Sequence, residues 1–545
     1  MLAMRRTARH ALWGALVIAA GAQAWLGRYA ANADGIGYLD RSDQLLAFGW
    51  HAPTNGYWSP LYPALLALAR WLFGSGPALD YPLAHLVNFA LCLIVFGCAE
   101  WLRGELVRGD DRADFASSML CIAAAGWAAI RLVGTQILSP DMGVLAAVIG
   151  AAAATLRWHR TGSPLAAATL GAVLGVGYLM KAVMFPVALV FLVVATVAAP
   201  SRALRWRGAS LAVVLFALIA SPQLVAVSRL HGRPTFGLTG TLNQAWHIGG
   251  VPGPLSEDHA RPMSISPDSG ISVVADTSAA PTPTLFIVDG RTPGTFPVWS
   301  DVSRWYPDSL TFHRSMQRQL YKTSRGVRLE IVLLLKFALV TLAAWLLTGR
   351  PTWFGRGTVS GWTLLVLGFA PLGMYALVNV EFRLIAPFEL LVLLGLSRLL
   401  VRPEPLALLA AVALVAVVSA LANDVRSLPA ERATRAQWQQ IAAVLGDAHE
   451  RPPRVVSLGD VWVAPRYARL ARGRIVAIMD STDASRWWRA PRAERARVES
   501  QLDSIPDAFV VARAPAPTLP AGWSPVPGSQ GYMIRRTGTR RLVAR

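Results

Sequence analysis

Apolar residues along this chain do not alternate with polar ones; they run. A helix needs about 20 mostly apolar residues to cross the hydrocarbon core of a bilayer. Eleven stretches approach that length, near 11–27, 82–102, 115–134, 138–157, 164–180, 183–199, 208–228, 329–348, 358–379, 383–400 and 404–422. The pairs 115–157 and 164–199 leave almost nothing between consecutive runs, so each predicts a helical hairpin with a minimal turn. The pattern breaks in three places. Segment 28–81 holds a surface-lying helix around Leu61–Phe73, and segment 229–328 is rich in Pro, Gly, Ser and Thr. A connection as long as the latter is functional or disordered rather than a plain link. Beyond about 423, helical patterns (Glu431–Ala448, Ala484–Leu502) alternate with short apolar strands (Val455–Leu458, Ile475–Met479, Phe509–Ala512, Tyr532–Ile534). That alternation predicts a small α/β domain. The expected fold is therefore mainly α. A polytopic membrane domain of about 11 transmembrane helices spans 1–422, with outer loops 28–81 and 229–328, and an extracytoplasmic α/β domain spans 423–545.

Composition agrees. Hydrophobic residues make up 54% of the chain and charged residues 15%, against about 25% charged in soluble domains. An ordinary soluble enzyme is excluded, and so is a disordered chain. The net charge is +20, and 49 of the 52 basic residues are Arg, the three lysines being Lys181, Lys322 and Lys336. The arginines follow the positive-inside rule. Arg5, Arg6 and Arg9 precede the first run, and alternate short loops carry Arg103, Arg108, Arg112, Arg157, Arg160, Arg202, Arg205, Arg207, Arg350, Arg356, Arg398 and Arg402. The other short turns are nearly free of Arg. This places the N-terminus on the cytoplasmic side of the membrane, and both long loops and the C-terminal domain on the outer side. The first run has a rival reading as a cleavable signal peptide, with Ala22-Gln23-Ala24 as the cleavage-like site; either reading leaves Arg28 onward outside. Cys92, Cys98 and Cys121 form neither a disulfide framework nor a zinc pattern, and the short basic loops argue against nucleic acid as a partner.

Candidate chemistry gathers at the outer boundary of the predicted spans. Asp34-Gly-Ile-Gly-Tyr38-Leu-Asp40-Arg-Ser-Asp43 puts three carboxylates directly after a span. Asp34, with glycines beside it, can approach a substrate closely, whereas Asp40 and Asp43 read as helix caps. Asp141 opens a span at a minimal turn, where an N-cap is the structural alternative. Lys181 lies at the next such turn, Arg383 opens the tenth span, and Arg131 ends the third. A charge in hydrocarbon costs at least about 2.5–3.5 kcal/mol, so Arg131 is expected to face the protein interior and a partner. Cations and carboxylates at head-group depth, roofed by a long loop, suit a phosphate-bearing lipid. Trp246, Trp299 and Trp305 of the second loop read equally as an acceptor platform, as packing or as a lid.

At these residues a family resemblance emerges. Asp34-Gly-Ile-Gly-Tyr38, followed by Asn55-Gly-Tyr-Trp-Ser-Pro-Leu-Tyr-Pro63, resembles the first periplasmic loop of GT-C glycosyltransferases of the family 39-like branch. That branch includes protein O-mannosyltransferases and the lipid A aminoarabinose transferase. Ser139-Pro-Asp141, Gly175-Val-Gly-Tyr-Leu-Met-Lys181 and Phe382-Arg383-Leu-Ile-Ala-Pro387 resemble later motifs of the same class, in the same order. The resemblance covers about 10–422 and, more weakly, the tail. It implies a polyprenyl-phosphate sugar donor, a lipid, glycan or protein acceptor, and an inverting transfer. Asp34 would be the catalytic general base, and Lys181, Arg383, Asp141, Arg131 and Tyr38 would form the substrate and phosphate site. Gly35 stands where the aminoarabinose transferase has an acidic residue, and Trp58-Ser59-Pro60 where it has a Lys before paired prolines. No cofactor is implied; no metal ligands are assigned, and a divalent metal is left open.

Two other classes compete. A transporter or flippase of lipid-linked saccharides would place polar groups near the bilayer midplane, in broken, repeated helices; here the charges sit at one face without an internal repeat, and only Lys336 dissents. A membrane scaffold or sensor would not require Asp34. If the transferase reading holds, Asp34, Asp141 and Lys181 converge in the folded protein.

Overall fold

The computed structural model describes residues 2–109, 111–197, 202–251, 271–274, 285–288, 294–306, 312–348, 359–398, 400, 403–446, 452–513 and 522–537. The helices are α1 (Leu2–Leu26), α2 (Ala33–Phe48), α3 (Leu61–Phe73), α4 (Asp80–Leu106), α5 (Arg112–Gly126), α6 (Asp141–Thr161), α7 (Pro164–Met180), α8 (Met184–Val197), α9 (Arg202–Leu230), α10 (Thr239–Gln244), α11 (Pro297–Ser300), α12 (Met316–Thr348), α13 (Val359–Ala376), α14 (Phe382–Ser397), α15 (Pro403–Gly446), α16 (Ala464–Leu470), α17 (Ser481–Arg489) and α18 (Arg492–Asp503). A helix stands on each of the eleven apolar runs. Among the described residues, seven helices are long and apolar enough to cross a membrane, so the fold is that of a multi-pass membrane protein, though the full count of eleven spans goes beyond those seven. Arg350, Arg356 and Arg402 of the predicted inner loops lie outside the described residues.

Small residues set the centre of the bundle. In α6, Gly143 through Leu156 is buried without interruption and rich in Ala, as expected of a helix apolar on every side. Small side chains let neighbouring backbones come close. A Cβ placed on Gly171 of α7 would lie 2.1 Å from the Ala212 carbonyl oxygen of α9, and one on Gly208 would meet the Trp158 ring at 2.3 Å. At the periphery, α12 exposes Leu335, Leu346 and Leu347, a surface suited to hydrocarbon rather than water.

α15 contains 44 residues, about 66 Å at 1.5 Å per residue. This is roughly twice the thickness of a bilayer core, so the helix runs on past the apolar bundle and up to the sheet. Among the described residues that sheet has seven strands: β1 (Ile271–Val274), β2 (Leu285–Val288), β3 (Arg454–Leu458), β4 (Arg474–Met479), β5 (Ala508–Arg513), β6 (Ser524–Pro525) and β7 (Tyr532–Arg536), in the order β1-β2-β4-β3-β5-β7-β6. The central β4-β3-β5 strands are parallel and the flanking pairs antiparallel. β1 and β2 come from the second long loop, so that loop is built into the sheet. Trp487, Val498 and Leu502 of α17 and α18 cover one face of it.

One buried polar network fixes α2 in place. Arg469 of α16 pairs with Asp40 (3.0 Å), Asp43 (3.0 Å) and Asp80 (2.7 Å), and Arg70 of α3 pairs with Asp43 (2.6 Å) and Asp80 (2.9 Å). Asp40 also accepts the backbone N–H groups of Thr295 (3.0 Å) and Phe296 (2.8 Å). Asp40 and Asp43 therefore do not cap a helix: both lie inside α2, and their carboxylates clamp it to α3, α4, α16 and the second loop. Three carboxylates face two guanidinium groups, leaving one excess negative charge in a buried place. Burial, followed by the repulsion of Asp43, pushes Asp40 up to about 6, against the pull of Arg469 and the two backbone donors.

Two outcomes are expected. Gly171→Leu forces α7 off the α9 backbone and costs about 1–3 kcal/mol, read as a lower unfolding midpoint of the detergent-solubilised protein. An unfolded Asp titrates near about 3.9, so between roughly pH 4 and 6 the folded protein holds the extra Asp40 proton and the unfolded chain does not. The Asp40 contribution to stability then falls as pH rises through that window and is flat above it. The wild-type midpoint should decline relative to that of Asp40→Asn from pH 4 to 6.5; parallel profiles would show that Asp40 is not the group concerned.

Candidate active site

Four helix ends meet at the sheet-facing end of the bundle, and each brings one charged side chain. Asp34 sits in the first turn of α2, Asp141 is the first residue of α6, Lys181 caps the C-terminus of α7, and Arg383 is the second residue of α14. Termini leave backbone groups unpaired, so these are the positions where a bundle of apolar helices tolerates polar side chains. The minimal turns Gly134–Pro140 and Lys181–Val183 hold the ends close together.

The charges form a chain. Arg383 donates from one terminal nitrogen to Asp34 Oδ2 (3.3 Å) and from the other to Asp141 Oδ2 (3.2 Å); its Nε reaches Glu381 (3.0 Å). Lys181 Nζ lies 2.5 Å from Asp141 Oδ1. The Asp141 side chain is 2% exposed, and those of Asp34, Arg383 and Lys181 are 27%, 22% and 21% exposed. Asp141 is thus the buried counter-ion that two cations share, not an N-cap: the capping position belongs to Pro140, which makes no side-chain cap. Asp34 is the carboxylate left open. Its second oxygen accepts Trp299 Nε1–H at 3.2 Å, so an indole and a guanidinium fix its orientation.

Tyr38 lies one turn below Asp34, 4% exposed, packed on Trp58 (4.6 Å between ring centroids) and edge-on to Tyr62 (5.0 Å). Burial, then the charges of Asp34 and Asp141, hold its phenol neutral well above the usual range. Arg131 is not brought to this group. It lies in a π-helical turn, Trp127–Val133, that ends the third apolar run; its side chain is exposed, and its carboxylate neighbour is Asp424 of α15. Lys336 is likewise remote, exposed on α12 with Glu389 as a neighbouring charge.

The second loop supplies what sequence reading left open. Trp299 and Trp246 both stand against Tyr57, and Trp462 of the C-terminal region meets Trp299 edge-on at 5.4 Å. The Trp305 side chain lies outside the described residues. Asn55 stitches the two loops together: its Oδ1 accepts the N–H groups of Tyr57 (2.9 Å) and Trp58 (2.7 Å), while its Nδ2 donates to the Ser300 carbonyl (2.7 Å). Gly56 follows because a Cβ there would collide with Ser303 Oγ and His231 Nε2, both 2.5 Å away. The Asn55–Ser300 bond spans 245 positions, which no local pattern reports. Among the described residues there is no group of three or more His, Cys, Asp or Glu side chains arranged to hold a metal ion.

No family model and no curated protein matches the sequence. Solved structures do match its fold. ArnT from Cupriavidus metallidurans bound to undecaprenyl phosphate superposes with a TM-score of 0.57 at 15% identity, over 96% of this chain and 98% of that one. The apo form of the same protein gives 0.43 at 15% identity over 96% and 97%. The oligosaccharyltransferase AglB from Archaeoglobus fulgidus, in complex with an inhibitory peptide and a dolichol-phosphate, gives 0.43 at 12% identity over 92% and 69%. ArnT and AglB are GT-C glycosyltransferases. From end to end, this chain has the GT-C fold.

Proposed function

We propose that the protein is an integral membrane glycosyltransferase. It takes a sugar from a polyprenyl-phosphate carrier and passes it to a hydroxyl of a lipid, glycan or protein acceptor on the outer face of the bacterial inner membrane, with inversion at the anomeric carbon. The observation that carries this reading is the Asp34–Arg383–Asp141–Lys181 chain. It puts an oriented, partly open carboxylate beside two cations at the sheet-facing end of the bundle. The match in fold to a protein solved with undecaprenyl phosphate supports a lipid-phosphate donor.

The chemistry follows from the charges. The acceptor oxygen attacks the anomeric carbon while Asp34 takes its proton as general base. The bond from that carbon to the phosphate oxygen breaks, and the electron pair leaves on the lipid phosphate. The phosphate gains negative charge as it departs, so it needs cations rather than an acid. Arg383 presents a planar fork and Lys181 a compact ammonium, with Asp141 beneath to hold both in place. Tyr38 supports the floor of the site. The aromatic side chains of Tyr57, Trp246, Trp299 and Trp462 offer faces on which an acceptor sugar or apolar group can stack. The cytoplasmic N-terminus and extracytoplasmic C-terminal unit belong to the same proposal. A flippase reading draws on Glu330, Lys336 and Glu389, charges set within the apolar helices; it predicts movement of the intact lipid-linked sugar without its release.

In proteoliposomes supplied with radiolabelled polyprenyl-phosphate sugars and native acceptor, Asp34→Asn should lower transfer by at least about 100-fold while donor binding persists. Full activity of that variant would remove Asp34 from the role of base. Arg383→Gln and Lys181→Met should each lower kcat/KM for the donor by roughly 10- to 100-fold, the worth of a charge-assisted hydrogen bond of about 1.5–3 kcal/mol. Arg131→Gln should leave that parameter within about threefold of wild type, since a surface charge away from the site contributes little.

A further inference from the structure

A second cationic site lies where α1 and α15 leave the apolar bundle. α1 ends at Leu26, and the following residues run beside the stretch of α15 from Ser427 to Trp438, with α16 above. Between them opens a cavity of about 480 Å³. Its walls carry four guanidinium groups, those of Arg28, Arg432, Arg435 and Arg466, and one carboxylate, Glu431, which accepts the Ser427 hydroxyl at 2.7 Å. Among the described residues none of the four arginines is in a salt bridge, whereas Arg70, Arg383 and Arg469 are each in two or more.

Aromatic faces hold three of these arginines instead. Arg435 lies 3.0 Å from the centroid of the Tyr29 ring, Arg28 lies 4.2 Å from that of Trp25, and Arg466 lies 4.9 Å from that of Trp438. Stacking fixes a guanidinium in position without consuming its in-plane N–H donors. Arg28 gives one of them to the Trp25 carbonyl (2.7 Å) and Arg466 one to that of Ala31 (2.8 Å), and Arg435 and Arg28 also bond the Tyr29 hydroxyl; a guanidinium carries about five N–H groups, so others are left on each. Four like charges around one hollow repel one another, and a bound anion relieves that repulsion while accepting several of the free donors.

The location selects the anion. Trp25 is 66% exposed at the end of an apolar helix, the position at which Trp marks the head-group layer. The lower wall is apolar, with Leu26 and Leu428, and the cations lie at the polar end. A neighbouring hollow of about 300 Å³ shares Tyr29, Arg435 and Trp438 and extends toward Tyr81 and Leu470, giving a large head group room. We propose that this groove binds the phosphate-bearing head group of an anionic membrane lipid, its acyl chains lying along α1 and α15. The site is separate from the Lys181–Arg383 pair and does not depend on whether sugar transfer occurs there.

The test is a lipid titration of the purified full-length protein in detergent, read by native mass spectrometry, with phosphatidylglycerol and phosphatidylcholine as probes. Wild type should retain phosphatidylglycerol selectively. Arg432→Gln/Arg435→Gln should weaken that retention at least about tenfold with phosphatidylcholine unchanged, and Arg489→Gln should match wild type. Circular dichroism and the lipid-free unfolding midpoint check folding. Arg28→Gln/Arg432→Gln leaves the Arg435–Tyr29 and Arg466–Trp438 stacks in place and should weaken binding in the same way. Undiminished phosphatidylglycerol binding in both double variants, or equal retention of phosphatidylcholine by wild type, would overturn the proposal. So would stabilisation by inorganic phosphate equal to that given by the lipid, which would point to a soluble phosphate ligand.

Discussion

A charge removed from water must find a partner, and in this protein that rule decides where the helices end and how the loops fold over them. Asp141 is all but sealed at the head of α6, a position it can hold only because Lys181 and Arg383 converge on it from α7 and α14. Arg383 then has a guanidinium nitrogen to spare, which it gives to Asp34 on α2. Four segments far apart in sequence are thereby tied at one point. Removing one partner leaves another charge buried and unpaired, a larger loss than the pair itself contributes.

α2 is the hinge between this chain and the rest of the molecule. Its first turn carries Asp34 toward Arg383 and Trp299, and its middle carries Asp40 and Asp43 toward Arg469 and Arg70. A helix clamped at both levels cannot slide or rotate without breaking one network. The orientation of Asp34 is therefore set in part by residues in the C-terminal region, more than 400 positions away along the chain. Trp299 completes the constraint from the second loop, which is itself held by Asp40 through Thr295 and Phe296 and by Asn55 through Ser300.

Much of this was legible in the sequence because it follows from periodicity and length. Every apolar run became a helix, the two minimal turns brought helix ends together, and the Leu61–Phe73 helix and the four strands of the tail form where the pattern places them. Asp34, Asp141, Lys181 and Arg383 stood out because charges beside apolar runs are few. α2 was hidden because Gly35 and Gly37 weaken a helical pattern, and Asp40 and Asp43 then looked like caps. Arg131 misled for the converse reason. A π turn adds a residue to the helical repeat, so its direction cannot be read from regular spacing. The pairing of β2 with β4 and the bond from Trp299 to Asp34 join residues whose neighbourhood exists only after the chain has folded.

The two groups of cations differ in a way that bears on their use. Lys181 and Arg383 are already satisfied by carboxylates, so an incoming phosphate must displace a partner. In the proposed reaction the partner most readily displaced from Arg383 is Asp34, because Asp141 is buried and retains Lys181 as well. The arrival of a donor phosphate would then free the carboxylate that has to act as base, coupling its release to the presence of substrate. Among the described residues, the arginines around Tyr29 and Trp438 are in no salt bridge that would have to be given up. An anion gains their open donors without displacing a carboxylate, the arrangement expected of a surface that holds a ligand rather than one that turns it over.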